Sequence, residues 1–307
     1  MQNKWKVMRR QARLMVDSLR GPPWFFIQLR GLITFPRSIC QYLYFYGKIN
    51  IPVSDSASFY INHHGYGFHV ENDLFWAGYG NGWEGLSLKI WLELAKEADF
   101  IADIGANTGV FALAAAAINP KAKILALEPV PRVFRKLQAN IALNPAFAIT
   151  PLQVAASSLN GEAVMFDVDM LHEYSASLNP TMLGDIATKQ VMVPTVTLDT
   201  LFQDQSFARI DLMKIDVEKH EPEVIAGALH TLATSLPTML VEILDVETGG
   251  RLQQCADWSR YTILAIHETA GIAPANVLGE MSGNYLFVET GRWQALAPRL
   301  KAVGLLA

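Results

Sequence analysis

The chain has 307 residues, 51% of them hydrophobic and 18% charged, which is enough to bury a sizeable core. That balance excludes a disordered or collagen-like chain. The presence of only two cysteines, Cys40 and Cys255, excludes a disulfide framework or a multi-cysteine zinc site and points to a reducing, cytoplasmic setting. The formal charge of −4 is unevenly divided: residues 1 to 48 carry +8, leaving −12 for the remainder. A basic arm on an acidic body suggests a phosphorylated or anionic-membrane partner for the arm, and nucleic acid is a poor partner for the body.

The arm begins with a basic stretch, Lys4 to Arg20, predicted helical and interrupted by Gly21-Pro22-Pro23. An aromatic run follows: Trp24, Phe25, Phe26, Phe35, Tyr42, Tyr44, Phe45 and Tyr46. A spanning helix needs ~20 apolar residues, and Arg30 and Arg37 break this stretch. No signal-peptide cleavage pattern follows it. Two readings stand side by side: a peripheral segment lying on the cytoplasmic membrane face, or a helical pair that covers the body or forms a dimer contact. Residues 51 to 82 read as a short β-rich lead-in of one or two hairpins, including Phe59 to Ile61 and Tyr66 to Val70. The expected division is therefore an extension over 1–50, a lead-in over 51–82 and the main domain over 83–307.

From Trp83 the pattern becomes an alternation. Leu86 to Ala95 is predicted as helix, Phe100 to Ile104 as strand, Gly109 to Asn119 as helix, Ile124 to Glu128 as strand, Pro131 to Leu143 as helix and Thr150 to Ala155 as strand. After an antiparallel-looking insertion come strand Ile210 to Ile215, helix Pro222 to Leu236, and strands Thr238 to Leu244, Tyr261 to Ile266 and Tyr285 to Glu289. Continuous apolar strands joined by helices predict an α/β, doubly wound, mostly parallel sheet with its functional loops at the carboxyl edge.

Between the first two strands of this series lies Asp103-Ile-Gly105-Ala-Asn107-Thr-Gly109. Gly105 lets the turn approach a ligand and Gly109 lets helix and strand pack closely. A dinucleotide fingerprint would read G-x-G-x-x-G and offer bare amides to a pyrophosphate. Here an acid precedes the first glycine; it would repel a pyrophosphate and suits a ligand with an ammonium group. Glu128 ends the next strand, where a carboxylate can accept both ribose hydroxyls, and Val154-Ala155-Ala156-Ser157 would border an adenine. The ligand this combination favours is S-adenosylmethionine.

Asp103 to Gly109, Glu128-Pro129-Val-Pro131, Leu137-Gln-Ala-Asn140, Thr197-Leu-Asp199-Thr-Leu201 and Leu212-Met-Lys214-Ile-Asp216-Val-Glu218 together resemble the FkbM family of S-adenosylmethionine-dependent methyltransferases. The resemblance covers roughly Trp83 to Glu289. It implies a Rossmann-like class I methyltransferase fold, usually seven-stranded with one antiparallel strand near the end, and O-methylation of sugars or secondary metabolites. On this reading Asp103, Gly105, Ala106, Asn107, Thr108, Gly109, Glu128, Pro129, Ala155, Ala156 and Glu84 hold the cofactor. For Glu84, charge complementarity at a helix start is an equal alternative.

The base that removes the acceptor proton belongs on the side away from the sulfonium, because an anion against that cation would stabilise the ground state more than the transition state. Asp216, Glu218 and His220 are spaced by two and point to one side if the backbone stays extended; with Lys214, expected to form an ion pair, they are the catalytic candidates. Glu221 and Glu223 read as helix-start charges with no chemistry. Lys219 stands where the family commonly has Gly, so either the turn relaxes or Lys219 serves acceptor binding. Glu242 and Asp216 could share Mg²⁺, but no third ligand is placed, and no metal is expected. His63, His64 and His69 lack zinc spacing; His172, Glu173, Tyr174 and Asn179 read as an acceptor lid or a solvated loop. The function expected is methyl transfer to an acceptor oxygen, a hydroxyl of a sugar in a glycan, glycolipid or secondary metabolite. The rivals are a nicotinamide-dependent oxidoreductase and a noncatalytic membrane-surface adaptor.

Overall fold

The computed structural model describes residues 23–33, 35–40, 43–65, 69–168, 176–177, 188–204 and 209–306. The stretch Lys4 to Arg20, residues 66–68, the side chain of His69, and His172, Glu173, Tyr174 and Asn179 lie outside them. The chain enters through α1 (Pro23–Leu32) and α2 (Arg37–Cys40), forms a hairpin of β1 (Tyr46–Pro52) and β2 (Ser58–His64), and continues into α3 (His69–Trp76). The lead-in is thus one hairpin that starts inside the stretch assigned to the arm. Val70, read as strand, is helical, because five residues are too few for alternation to distinguish a strand from a first helical turn.

From α4 (Gly85–Ala95) the alternation runs β3 (Phe100–Ile104), α5 (Val110–Ile118), β4 (Lys123–Leu127), α6 (Pro131–Ala142) and β5 (Ile149–Leu152). A second, four-stranded sheet follows, of β6 (Ala155–Ala156), β7 (Gly161–Val168), β8 (Ala176–Ser177) and β9 (Thr188–Val196). The main series resumes with α7 (Leu198–Asp204), β10 (Leu212–Ile215), α8 (Glu221–Ala226), α9 (Leu229–Ser235), β11 (Thr238–Ile243) and α10 (Val246–Cys255). It closes with β12 (Tyr261–His267), β13 (Gly271–Pro274), β14 (Gly283–Glu289) and α11 (Thr290–Ala302).

The main sheet has the order β13-β12-β14-β11-β10-β3-β4-β5. Strands β11, β10, β3, β4 and β5 are parallel, while β14 is antiparallel to β11 and β12, and β13 antiparallel to β12. The sheet therefore has eight strands where seven were expected. The addition, β13, is a short edge strand bounded by Gly271 and Pro274, which carry no strand signal. The stretch read as one strand over Thr150 to Ala155 divides: Pro151, which cannot donate to a ladder, sits in the edge strand β5, and Ala155–Ala156 turn away to pair with β9. The helix read over Pro222 to Leu236 also divides, at Gly227, where a Cβ would overlap the carbonyl of Ser157.

Residues alternate between two cores. Ile101, Ile124, Ala126, Leu212 and Leu240 face one side with Trp91 and the hairpin residues Ile49, Ile51, Phe59 and Ile61. Ala102, Ile104, Leu125, Met213, Ile215 and Met239 face the other. Period-two burial on both sides of parallel strands is the mark of double winding. The helix α5, rich in alanine, is buried along its length and stops before Pro120.

The hairpin is clamped to this frame by two buried asparagines near the end of α6. Asn140 donates to the carbonyl of Thr108 at 2.8 Å and accepts from the Asn62 N–H at 2.9 Å. Asn144 accepts from and donates to the Tyr60 backbone at 2.8 and 2.7 Å.

His63 is buried against Phe45, with ring centroids 4.3 Å apart; its Nε2 bonds Asn72 Oδ1 at 3.1 Å and its Nδ1 accepts from the Gly65 N–H at 3.1 Å. That arrangement suits a neutral ring, and burial pushes its pKa down to about 4. The unfolded chain binds this proton more tightly, so below an ordinary His pKa of about 6.5 the His63 contribution to stability is lost as pH falls towards 4, at roughly 1.4 kcal/mol per pH unit. Chemical denaturation of wild type and His63→Gln across this window should give a flatter acid limb for the variant; parallel limbs would contradict the assignment.

Candidate active site

The strand order reverses between β3 and β10, and a cavity of about 350 Å³ opens there at the carboxyl ends of the strands. Its floor is the turn after β3. Gly105 has φ +82° and lies so near the end of β10 that a Cβ would overlap the carbonyl oxygen of Asp216. Asn107 is also left-handed, with φ +49°, a conformation asparagine tolerates.

Of the residues expected to hold the cofactor, Glu84, Gly105, Ala106, Asn107, Thr108, Glu128, Pro129, Ala155 and Ala156 all line the cavity. Glu128 accepts from the Asn107 N–H at 3.1 Å on one oxygen and from the Val130 N–H at 2.9 Å on the other, which fixes its plane at the end of β4. Burial raises its pKa to about 7. The Thr108 hydroxyl donates to the buried Glu71 carboxyl at 2.7 Å.

Asp103 and Gly109 do not line the cavity. Asp103 stands behind the cavity wall, fully buried, with one oxygen accepting from the Ala112 N–H at 2.9 Å and its pKa raised by burial to about 7. Its side chain anchors the first turns of α5. Gly109 faces away too: at φ +96° it starts α5 and gives room to Leu137, whose Cδ1 would lie 2.7 Å from a Cβ there.

On the opposite wall the chain leaves β10 at Ile215. The expected extended run from Lys214 to His220 does not form, because Glu218 (φ +55°) and Lys219 (φ +71°) both adopt the left-handed conformation. Asp216, Glu218 and His220 nevertheless line the cavity, brought there by the turn. The turn keeps the shape a glycine would give it, and Lys219 bonds Asp245 Oδ2 at 2.8 Å. What holds this costly turn is Glu221, whose Oε1 accepts from the Val217 and Lys219 N–H groups at 3.2 and 3.3 Å. Glu221 is completely buried, its carboxyl pushed up to about 8 by burial, so it is more than a helix-start charge.

Lys214 lies wholly buried beneath the wall, bonded to Asn284 Oδ1 at 2.9 Å, 3.4 Å from Asp216 Oδ2 and 5.1 Å from the centre of the Phe111 ring. Burial alone would lower its pKa, but Asp216, Glu84, Glu242 and Asp103 outweigh it and keep the ammonium charged. Asn284 also donates to Glu84 Oε2 at 2.9 Å. Glu84 makes no cap bond to α4; burial raises its pKa to about 7. The start of α4 is instead held by Glu268, which accepts from the Leu86 and Ser87 N–H groups at 2.7 and 3.2 Å. Glu242 reaches the cavity from β11, and burial and then Asp216 drive its pKa strongly upward. Glu218 is raised to about 7 by burial, then by Asp216.

His220 Nε2 is 3.0 Å from Ser157 Oγ and its Nδ1 is 3.5 Å from Glu223 Oε2, while Glu223 also pairs with Arg251. Burial lowers the His220 pKa, so the ring is neutral near pH 7. Glu223 thus does more than complement a helix start, and Ser157 more than border an adenine. Trp83, Phe111, Val130 and Met165 complete the wall with apolar surface that local sequence did not connect to the site. Among the described residues no group of three or more His, Cys, Asp or Glu is arranged to hold a metal ion.

A doubly wound sheet with an acidic cavity at its switch point, an acid at the end of β4 and a last strand, β14, antiparallel to both its neighbours defines a Rossmann-like class I methyltransferase fold. Residues 103–262 match the family model described as the Methyltransferase FkbM domain, and the chain belongs to that family. It is 29% identical over 162 residues to the hexuronic acid methyltransferase AglP of Haloferax volcanii, a match covering 51% of this chain and 60% of that protein. It is 26% identical over 185 residues to the 31-O-demethyl-FK506 methyltransferase FkbM of Streptomyces tacrolimicus, covering 50% of this chain and 68% of that one. A crystal structure of methyltransferase FkbM from Methylobacillus flagellatus is similar at 14% identity and a TM-score of 0.40, covering 62% of this chain and 43% of that one.

Gly105→Ala should lower stability by more than about 2 kcal/mol, since the left-handed backbone and the overlap with Asp216 act together. Lys219→Gly should change it by less than about 1 kcal/mol, because relief of backbone strain offsets a half-exposed ion pair. Urea titration of both variants checks the contrast, and equal losses would remove the role given to Gly105.

Proposed function

We propose that the protein transfers a methyl group from S-adenosylmethionine to an acceptor oxygen, a hydroxyl of a sugar in a glycan, glycolipid or secondary metabolite. The observation that carries this reading is the distribution of charge in the cavity: Glu84, Asp216, Glu218 and Glu242 on one side and Glu128 on the other, with Lys214 neutralised beneath them. Such a wall suits a nucleoside that carries positive charge and no phosphate. The names of AglP and of the Streptomyces enzyme support a sugar or small-molecule acceptor.

Glu128, its plane set by two backbone amides, is suited to accept both ribose hydroxyls, and Val154, Ala155, Ala156 and Met165 provide a flat apolar border for the adenine. Glu84 and Asp216 face the amino-acid end. When bound, S-adenosylmethionine supplies an electrophilic methyl group on a sulfonium. His220 is the base: Glu223 approaches Nδ1 at 3.5 Å, Nε2 faces Ser157, and the lowered pKa keeps the ring neutral and able to accept a proton. Glu218 bounds the acceptor side of the cavity and orients the incoming hydroxyl.

Isothermal titration should show binding of S-adenosylhomocysteine and none of NAD; the reverse would make this an oxidoreductase. His220→Ala should lower methyl transfer to a glycan and glycolipid extract by about 10²-fold or more while leaving the product's affinity nearly unchanged. A cation seated beside Glu84 lowers a pKa that stands at about 7, so binding of S-adenosylmethionine should expel protons and weaken as pH falls below 7. Titration near pH 6.5 in buffers of different ionisation enthalpy measures that release, and no buffer dependence would count against the placement of the cation.

A further inference from the structure

Helix α1 is apolar on nearly every side, Pro-Trp-Phe-Phe-Ile-Gln-Leu-Arg-Gly-Leu, yet only Phe26 is buried. A helix of this composition is ordinarily enclosed. Phe26 stacks on Phe45 with centroids 5.0 Å apart and meets Trp76 edge-on, and that contact fixes the helix to the body. Around it Trp24 is 60% exposed and Leu32 82%, and Phe25, Ile27, Ile33 and Ile39 are exposed as well. Arg30 lies 5.3 Å from the centre of the Phe75 ring, at the margin of this apolar surface.

We propose that this face docks on an anionic lipid surface, with Trp24, Phe25, Ile27 and Leu32 entering the headgroup layer and Arg30 at its margin meeting the lipid phosphates. Charge selects this occupant over a second copy of the chain. By sequence, residues 1 to 48 carry +8 and the remainder −12, so an anionic surface attracts the N-terminal part of the chain, to which α1 belongs, and repels the rest. Aromatic and aliphatic side chains among Arg and Lys are the composition of an interfacial helix. No helix of the described residues is long and apolar enough to cross a membrane, in keeping with a segment that lies flat. Helix α3 packs near this face through Trp76 and reaches the cavity wall through Val70, so the lipid face and the cavity stand about one short helix apart.

The test is co-sedimentation of the full chain with vesicles of phosphatidylcholine alone and with added phosphatidylglycerol. Binding should require the anionic lipid, weaken steeply with added NaCl, and fall about tenfold or more in Trp24→Glu, Ile27→Glu and Leu32→Glu, whose exposed positions leave folding intact by circular dichroism. Wild-type protein remaining in the supernatant with anionic vesicles would overturn the proposal. So would variants that bind as well as wild type, or light scattering that shows a wild-type dimer abolished by the same substitutions.

Discussion

One buried ammonium organises the reaction side of this molecule. Lys214 sits at the centre of the sheet without access to water, and a lone charge there would cost several kcal/mol. Asp216, Glu84, Glu242 and Asp103 surround it, and Asn284 takes up its hydrogen bond. In return the cation permits a concentration of carboxyls that would otherwise repel one another. It ties β10 to β14 through Asn284 and, through Glu84, to the start of α4, so three separate stretches of chain are held together behind the cavity.

The same crowding explains the protonation of the site. Glu84, Asp103, Glu128 and Glu218 all stand at about 7, raised chiefly by burial, and Glu242 is driven higher still. Carboxyls held near neutrality ionise readily when a cation arrives, which is the response the proposed ligand calls for. His220 is shifted the other way, towards the neutral form, with Glu223 and Ser157 beside its two nitrogens. A strained turn at Glu218 and Lys219 sets these groups, and the buried Glu221 carboxyl holds that turn by accepting from the backbone on both sides. Strain stored beside a reacting centre and maintained by a buried polar group fixes geometry at the expense of local stability.

Asparagines extend the rigidity to the other wall. Asn140 and Asn144 bind the first hairpin to the loop after β3, so the lead-in shares the core of the catalytic frame and supports its floor. The exposed helix α1 is attached to this hairpin and to α3 by aromatic contacts. The molecule therefore presents an acidic cavity and an apolar, basic-flanked face on one continuous scaffold.

Much of this was legible in sequence because it depends on local pattern. The strands β3, β4, β10 and β11 are apolar runs bounded by turns, and the glycine turn after Asp103 and the acid Glu128 sit at strand ends, so strand-to-site order follows from spacing alone. The same residues could not disclose which way a side chain faces once helices close over the sheet. Asp103 and Lys214 look like cavity residues by position, yet packing of α5 and β14 places them behind the wall. Glu242, Ser157, Glu223 and Trp83 join the site across long stretches of chain, and the edge strand β13 has no pattern of its own. Local alternation fixes which segments become strands; burial, long-range hydrogen bonds and the balance of charge around Lys214 decide which groups meet.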